Sequence, residues 1–487
     1  MTEGKTSKPL KIIICGDTFP PDVNGAARFA ERLAGGLIRR GHEVQIIAPA
    51  YSSSHGTFRE VHDGVELTVH RVRSHRLISH ATLRIVMPFG LTRKFARILE
   101  DFKPDAIHSQ SHLVIGRFVT KAARAQGIRV LATNHIMPEN LVKYSMIVPR
   151  WLEGVAMAWA WRDAGKVLRQ AEVVTTPTRR AAELLEAATG MKGILAISCG
   201  IDASKYANSN PPQNRRPRIL YLGRLDFEKH IHNLLKAVAL LPKELNTVVE
   251  LVGEGSERNR LESLAFELGI RDNVIFAGHI SEAELPLAYD RATVFAMPSI
   301  AELQSIATME AMASGRPIVA ANAMALPHLV HDGDNGYLFE PDDVEMFADR
   351  LKRVLTATPD ELERLSDNSL HLIGAHDINR TLTIFEGLYR GDREELQTSD
   401  DNSEAYNLPI GRLNESLREQ ILLLRKRTSE FRERTSEMRN RFTEFGDGVS
   451  ERIEDIREDV SERAKAVDQK VRSTVKKARN RIKSQGD

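Results

Sequence analysis

The 487-residue chain has little cysteine, little tryptophan and almost no excess of either charge. Its two cysteines, Cys15 and Cys199, are too few for a disulfide framework or a cysteine-based zinc site, and that scarcity fits a reducing cytoplasm. Lys and Arg number 68 against 66 Asp and Glu, so a whole-chain polycation that binds nucleic acid is not expected. No apolar run approaches the ~18 residues of a membrane-spanning helix. The apolar stretch in the opening MTEGKTSKPLKIIIC is too short for a signal-peptide core. What is present is 42% hydrophobic and 28% charged residues, a globular balance. At ~100–200 residues per domain, the length suggests a chain of two to four domains. The expectation is a cytoplasmic, multidomain enzyme.

Two regions repeat one design. Lys11–Cys15 (KIIIC) is a short apolar run with β-branched residues, the mark of a strand buried on both faces. A loop with Pro20, Pro21, Asn24 and Gly25 follows, then a helical face of Ala26, Phe29, Ala30, Leu33 and Leu37, then a strand over Glu43–Ala48. RILYL at 218–222 restarts the cycle, with a helix over about 231–241 and strands at 248–252, 274–278, 293–297 and 317–321. Such alternation implies βαβ units and parallel sheets. ANSNPPQNRRP at 207–217 reads as the linker between two such domains. From about Asp400 the pattern changes to charged helix. A heptad seam runs from Leu417 to Phe445, Gly446 and Gly448 interrupt it, and an 11-residue repeat follows from Ile453 to Ile482.

Ligands bind beyond the carboxyl ends of parallel strands, so the loops there carry the chemistry. Gly25, just before a helix, lets backbone N–H groups approach an anion, or is simply a turn glycine. Arg224 directly follows a strand and Lys229 comes five residues later, a fork and a point charge suited to a diphosphate. Gly253-Glu254-Gly255 lacks the third glycine of a dinucleotide fingerprint and reads as a strand-to-helix turn. In PSIAELQSIATMEAMASGRP, Glu302 precedes a helix expected to begin near Gln304, and Glu310 lies within it. The small and apolar neighbours Ala311, Met312 and Ala313 predict a buried, partnered carboxylate at Glu310. Asp332-Gly333-Asp334 has the form of an Asp-x-Asp metal motif but lies in the turn-forming HDGDNG, so a solvated loop is expected.

Taken in order, PPDVNG, GRLDFEK, the paired glutamates followed by AMASGRP, and HDGDNGYLFEPDD resemble glycosyltransferase family 4 from about residue 10 to residue 393. The resemblance implies retaining, nucleotide-sugar-dependent transferases of GT-B architecture, in which two Rossmann-like α/β domains face each other across a cleft. The boundaries it suggests are 1–206 for the acceptor domain, 207–375 for the nucleotide-sugar domain, 376–398 for a helix crossing back, and 399–487 for the charged tail. It assigns Gly25 and the helix behind it to the diphosphate or sugar, Arg224 and Lys229 to the diphosphate, and Glu310 to the ribose hydroxyls. Glu302 is placed near the donor sugar, with the backbone amides of Gln304, Ser305 and Ile306. His135, in ATNHIMPEN, resembles the histidine that faces the reaction centre, although an ordinary loop histidine is the alternative. No cofactor and no metal are implied. His230 and Ser305 stand where the family usually has glycine, which leaves the sugar and the uridine or guanosine base open.

The acceptor is read from a second pattern. Residues 67–99 contain no Asp or Glu but seven Lys or Arg, interleaved with Leu, Ile, Val, Met and Phe. That suits an anionic membrane surface, at ~1 kcal/mol per adjacent basic side chain. Trp151, Trp159 and Trp161 suit either a membrane interface or core packing. The wording NHIMPEN and ELQSIATMEAMA resembles family members that glycosylate diacylglycerol and related lipids. A peripheral enzyme on the inner face of the cell membrane is therefore expected, with a lipid acceptor. A soluble acceptor (a sugar phosphate or an inositol) and a non-catalytic nucleotide-sugar scaffold remain as alternatives. The tail reads as a self-associating coiled coil over 413–445, a membrane-surface helix or a solvated stalk.

Overall fold

A computed structural model describes residues 8–22, 24–76, 84–136, 153–206 and 216–392. The charged tail expected to be helical, with its seam over 413–445, the linker at 207–215, residues 77–83 of the basic segment and Trp151 lie outside these residues. The chain divides into one unit from Met1 to Asp401 and a second from Asn402 to Asp487; only the first contains described residues.

Two parallel sheets organise this unit. The first contains β1 (Lys11–Cys15), β2 (Glu43–Pro49), β3 (Gly56–His62) and β4 (Val65–Val72). After a small antiparallel pair, β5 (Ser74–Arg76) and β6 (Arg84–Val86), it continues with β7 (Ala106–Ser109), β8 (Arg129–Thr133), β9 (Val173–Thr176) and β10 (Leu195–Ala196). Its order is β10-β9-β8-β7-β1-β2-β4-β3, parallel except where β3 meets β4. The second sheet contains β11 (Arg218–Leu222), β12 (Val248–Val252), β13 (Val274–Gly278), β14 (Val294–Met297), β15 (Ile318–Ala321) and β16 (Gly336–Phe339). Its order is β13-β12-β11-β14-β15-β16, parallel throughout.

The helices are the connections that parallel strands require. In the first half they are α1 (Gly25–Arg39), α2 (Leu91–Phe102), α3 (Val114–Ala125), α4 (Glu153–Leu168) and α5 (Arg179–Thr189). In the second they are α6 (Ile231–Ala239), α7 (Arg258–Glu267), α8 (Leu285–Asp290), α9 (Ile306–Ala313), α10 (Val344–Leu355), α11 (Pro359–Ile373) and α12 (Ile378–Arg390). β1 shows why an all-apolar run is needed. Ile12 and Ile14 join a core with Phe29, Leu33 and Phe385, from α1 and α12. Ile13 and Cys15 join another with Phe95, Leu99, Ile115 and Val119, from α2 and α3. Alternate side chains thus meet helices on opposite faces, and neither face can be polar.

α12 returns the chain to the first sheet after the second is complete. Asp377 caps it, accepting from Asn379 N and Arg380 N, and Glu386 pairs with Arg40 at 2.9 Å just beyond α1. His108 on β7 contacts the Tyr389 hydroxyl at 2.7 Å. The topology also locates the ligand crevices. β1 lies between β7 and β2, and β11 lies between β12 and β14, so strand order reverses at both places. The loops that leave β1, β7, β11 and β14 flank these switch points, where open parallel sheets bind ligands. No described helix is long and apolar enough to cross a membrane.

Candidate active site

Two helix starts meet across the crevice. The Asn24 side chain caps α1, accepting from Ala27 N at 2.9 Å. Gly25, exposed at the first position, lies opposite the start of α9: a Cβ added to it would sit 3.8 Å from Ile306 Cδ1. Ser305 caps α9, so the helix begins at Ile306, two residues later than the sequence suggests. The Ser305 hydroxyl accepts from the Thr308 N–H at 3.4 Å and contacts the Thr308 hydroxyl at 2.8 Å. The first N–H groups of a helix lack internal partners and carry its positive end, so two facing starts concentrate anion-binding capacity.

Gln304 splits its role. Its side chain accepts from Cys199 N at 2.7 Å and donates to Ser198 Oγ at 2.9 Å, tying the loop to the segment after β10. The Leu303 carbonyl likewise accepts from Thr178 Oγ1 at 2.8 Å. Only the backbone here is left to face a ligand.

The cations lie in the loop after β11. Lys229 Nζ donates to Glu302 Oε1 at 2.6 Å, bringing together two residues 73 positions apart. The Arg224 guanidinium pairs with Asp226 and donates to Glu228 at 2.8 Å. Burial works against its charge, but Asp226 and Glu228 outweigh burial and raise its pKa. His230 adopts φ +49°, which explains glycine's usual place there. Histidine is among the residues that tolerate this region, and Nδ1 of His230 is anchored 3.1 Å from Asp342 Oδ1.

Glu310 is buried, as its small neighbours imply, and its partners come from three other segments. Oε1 accepts from Arg32 on α1 at 2.6 Å and from the Tyr206 hydroxyl at 2.9 Å. Oε2 accepts from the Tyr289 hydroxyl on α8 at 2.9 Å. Gly25, Arg28 and Arg32 share one face of α1; Arg28 pairs with Glu282 on the second half. The other amino group of Arg32 is buried without a partner.

His135 follows β8. Its Nε2 lies 2.8 Å from Gln110 Oε1 and its ring centre 5.2 Å from that of Phe29. Burial lowers its pKa to about 4, so the imidazole is neutral at ordinary pH. Asp332 and Asp334 are engaged by their neighbours in the fold, accepting from Leu338 N on β16 and from Asn368 on α11. Among the described residues, no group of His, Cys, Asp and Glu is arranged to hold a metal ion.

Sequence reasoning does not find Arg32, Tyr206, Tyr289, Gln110, Asp226 or Glu228. Arg32 has one available signal, since Arg28 and Arg32 form a polar stripe with Gly25 opposite the apolar face of α1. The tyrosines have none, because Tyr206 and Tyr289 lie 104 and 21 positions from Glu310 and meet it only in the folded chain.

Residues 23–205 match the family model described as Glycosyltransferase Family 4, and residues 202–371 the one described as Glycosyl transferases group 1. A GDP-mannose-dependent alpha-mannosyltransferase of Mycolicibacterium smegmatis is 30% identical over 346 residues, covering 69% of this chain and 86% of the relative. An alpha-monoglucosyldiacylglycerol synthase of Streptococcus pneumoniae is 26% identical, covering 77% of this chain and 85% of the relative. Among solved structures, sucrose-phosphate synthase from Thermosynechococcus elongatus superposes with a TM-score of 0.64 at 20% identity, covering 78% of this chain and 98% of that one. Anabaena HepE, solved with UDP-glucose, gives 0.62 at 18% identity, covering 78% of this chain and 100% of that one.

Proposed function

Because this chain belongs to glycosyltransferase family 4 and has the GT-B fold, we propose that it transfers a hexose, with retention, from a UDP- or GDP-linked donor to a lipid acceptor. It is a glycosyltransferase; the donor, the acceptor and the stereochemistry are the proposal. The observation that carries it is the pair of facing helix starts at Gly25 and Ile306, with Lys229 held at the second by Glu302. Such a site suits a diphosphate. Arg224, Lys229 and the amides around Gln304, Ser305 and Ile306 would stabilise the charge that develops as the anomeric C–O bond breaks. A diphosphate would replace the carboxylates that now neutralise the two cations. Glu310 would hold the ribose hydroxyls, Glu302 would lie near the sugar, and His135 would face the reaction centre. A departing phosphate oxygen can serve as the base for the acceptor hydroxyl, and the reaction needs no metal or cofactor.

Support for a lipid acceptor comes from the surface. Arg73, Arg93 and Arg97 are exposed beside Ile85 (41% exposed), Met87 (47%) and Phe89 (80%). The tryptophans divide: Trp161 is buried in the core under α4, while Trp159 is 69% exposed near Val155. Exposed aromatic and basic residues together suit the headgroup region of an anionic bilayer. The relative from Streptococcus pneumoniae, named for diacylglycerol, points the same way.

Lys229→Ala should lower kcat by about 10²–10³-fold, the usual loss for a group that stabilises developing charge. Full activity in that variant would remove Lys229 from the site. The full-length chain should sediment with phosphatidylglycerol-containing liposomes and not with pure phosphatidylcholine. Absence of binding to either would favour a soluble acceptor.

A further inference from the structure

Gln110 and His135 leave neighbouring strands beside a switch point of the first sheet. Gln110 is the first residue after β7; its N–H donates to Cys15 O at 2.7 Å, extending the pairing with β1. Its side chain is 3% exposed, and Gly16 makes room for it, since a Cβ at 16 would lie 3.4 Å from Gln110 Cβ. His135 reaches the same place from β8, and its ring is fixed between Phe29 and the Gln110 amide.

The polar atoms of the pair are only half used. Gln110 Oε1 meets His135 Nε2, while Gln110 Nε2 is buried without a partner. A buried donor left unpaired is destabilising, so it calls for a reason such as a nearby ligand or a catalytic role. An amide oxygen can only accept, so Nε2 of His135 must carry the proton and Nδ1 must carry the lone pair. One amide donor and one imidazole acceptor complement a hydroxyl group, which both accepts and donates.

We propose that Gln110 is a positioning residue for His135, holding the ring in one orientation and in the Nε2–H tautomer so that Nδ1 faces a substrate hydroxyl. The proposal rests on the reading of His135 as a residue of the reaction centre. The titratable group that faces His135 among the described residues is His108 on β7, which burial keeps neutral. On α1, Arg32 lies three residues beyond Phe29 and is paired with Glu310. The hydrogen bond to the His135 ring comes from Gln110.

Two measurements test it. The ¹⁵N shifts of the His135 ring in the full chain should show a protonated Nε2 at neutral pH, and Gln110→Leu should give a mixture of tautomers. A protonated Nδ1 in the unaltered chain, or an unchanged tautomer in Gln110→Leu, would overturn the proposal. Turnover of UDP-glucose and GDP-mannose is then followed from about pH 5 to about pH 9. Gln110→Leu should lower kcat about 10-fold or more with little change in donor KM, as expected for loss of orientation.

Gln110→Glu should keep most of the activity at alkaline pH. Its carboxylate favours the imidazolium, so activity should fall away on the acid side at a pH about 1 unit or more higher than in the unaltered enzyme. If His135→Ala is inactive while both Gln110 variants behave as the unaltered enzyme, the positioning role is wrong and the reading of His135 survives. If His135→Ala is fully active, the reading of His135 fails and the proposal with it.

Discussion

Glu310 joins three other segments of the fold and is the carboxylate proposed to hold the donor ribose. Its three partners come from α1, the turn at Ala203–Tyr206 and α8, and among them the Arg32 bond ties α1 of the first half to α9 of the second. Removing one partner of a buried ion pair leaves an uncompensated charge, and Arg32→Met should cost about 2–3 kcal/mol, less than in a fully dry pair because the tyrosines remain. Denaturant unfolding with an unchanged midpoint would contradict this. Glu310→Gln keeps the shape but loses the charge-assisted bonds that a ribose diol would donate to. It should weaken UDP or GDP binding by about 10-fold, equivalent to about 1.4 kcal/mol, in calorimetric titration. The burial of Glu310 is legible from Ala311, Met312 and Ala313. Its pairing with Arg32 is not, because a contact across 278 positions leaves no local periodicity in the sequence.

At the scale of elements, alternation and hydrophobic runs locate five of the six strands of the second sheet, and β1 and β2 of the first. KIIIC, RILYL and VVELV read as buried strands because both faces of a parallel sheet are covered. The start of α9 falls two residues later than the sequence suggests, because Ser305 matters for the cap it supplies and not only for the glycine it replaces. That cap has a measurable consequence. Ser305→Ala should destabilise the protein by about 1 kcal/mol, and Ser305→Gly by only a few tenths. Equal losses in thermal or urea unfolding would show that the hydroxyl does not cap α9. Gln304 adds a role that its sequence context does not announce: beside the backbone amide expected to face the donor, its side chain is committed to Ser198 and Cys199. A residue's type and spacing do not show which neighbour reaches it first.

For the whole molecule, buried histidines govern the response to acid. Burial lowers the pKa of His108 to about 3 and those of His112, His135 and His376 to about 4. For His376, nearby His328 and Arg380 add to the effect of burial. In the unfolded chain these groups titrate near 6.5, so between about pH 6.5 and about pH 4 the unfolded state binds more protons than the folded one. Stability is therefore intact above about pH 6.5 and falls as the pH drops through that window, by up to about 1.4 kcal/mol per pH unit for each histidine. A melting temperature that stays flat from pH 7 to about pH 5 would contradict this.

The near-balance of charge across 487 residues conceals an acid-free stretch at 67–99, in which Arg73, Arg93 and Arg97 are exposed while Arg71 is buried and paired with Glu60. Composition alone reads as an ordinary globular protein; the distribution of charge is what supports the proposal of a membrane-surface acceptor. The most direct measurement is a transfer assay in which UDP- and GDP-hexoses are incubated with the full-length enzyme and a total lipid extract, with products followed by mass spectrometry. The expected result is a lipid heavier by one hexose, formed from one donor and lost in Lys229→Ala. Neither transfer to lipid nor hydrolysis of any donor in the panel would contradict the assignment.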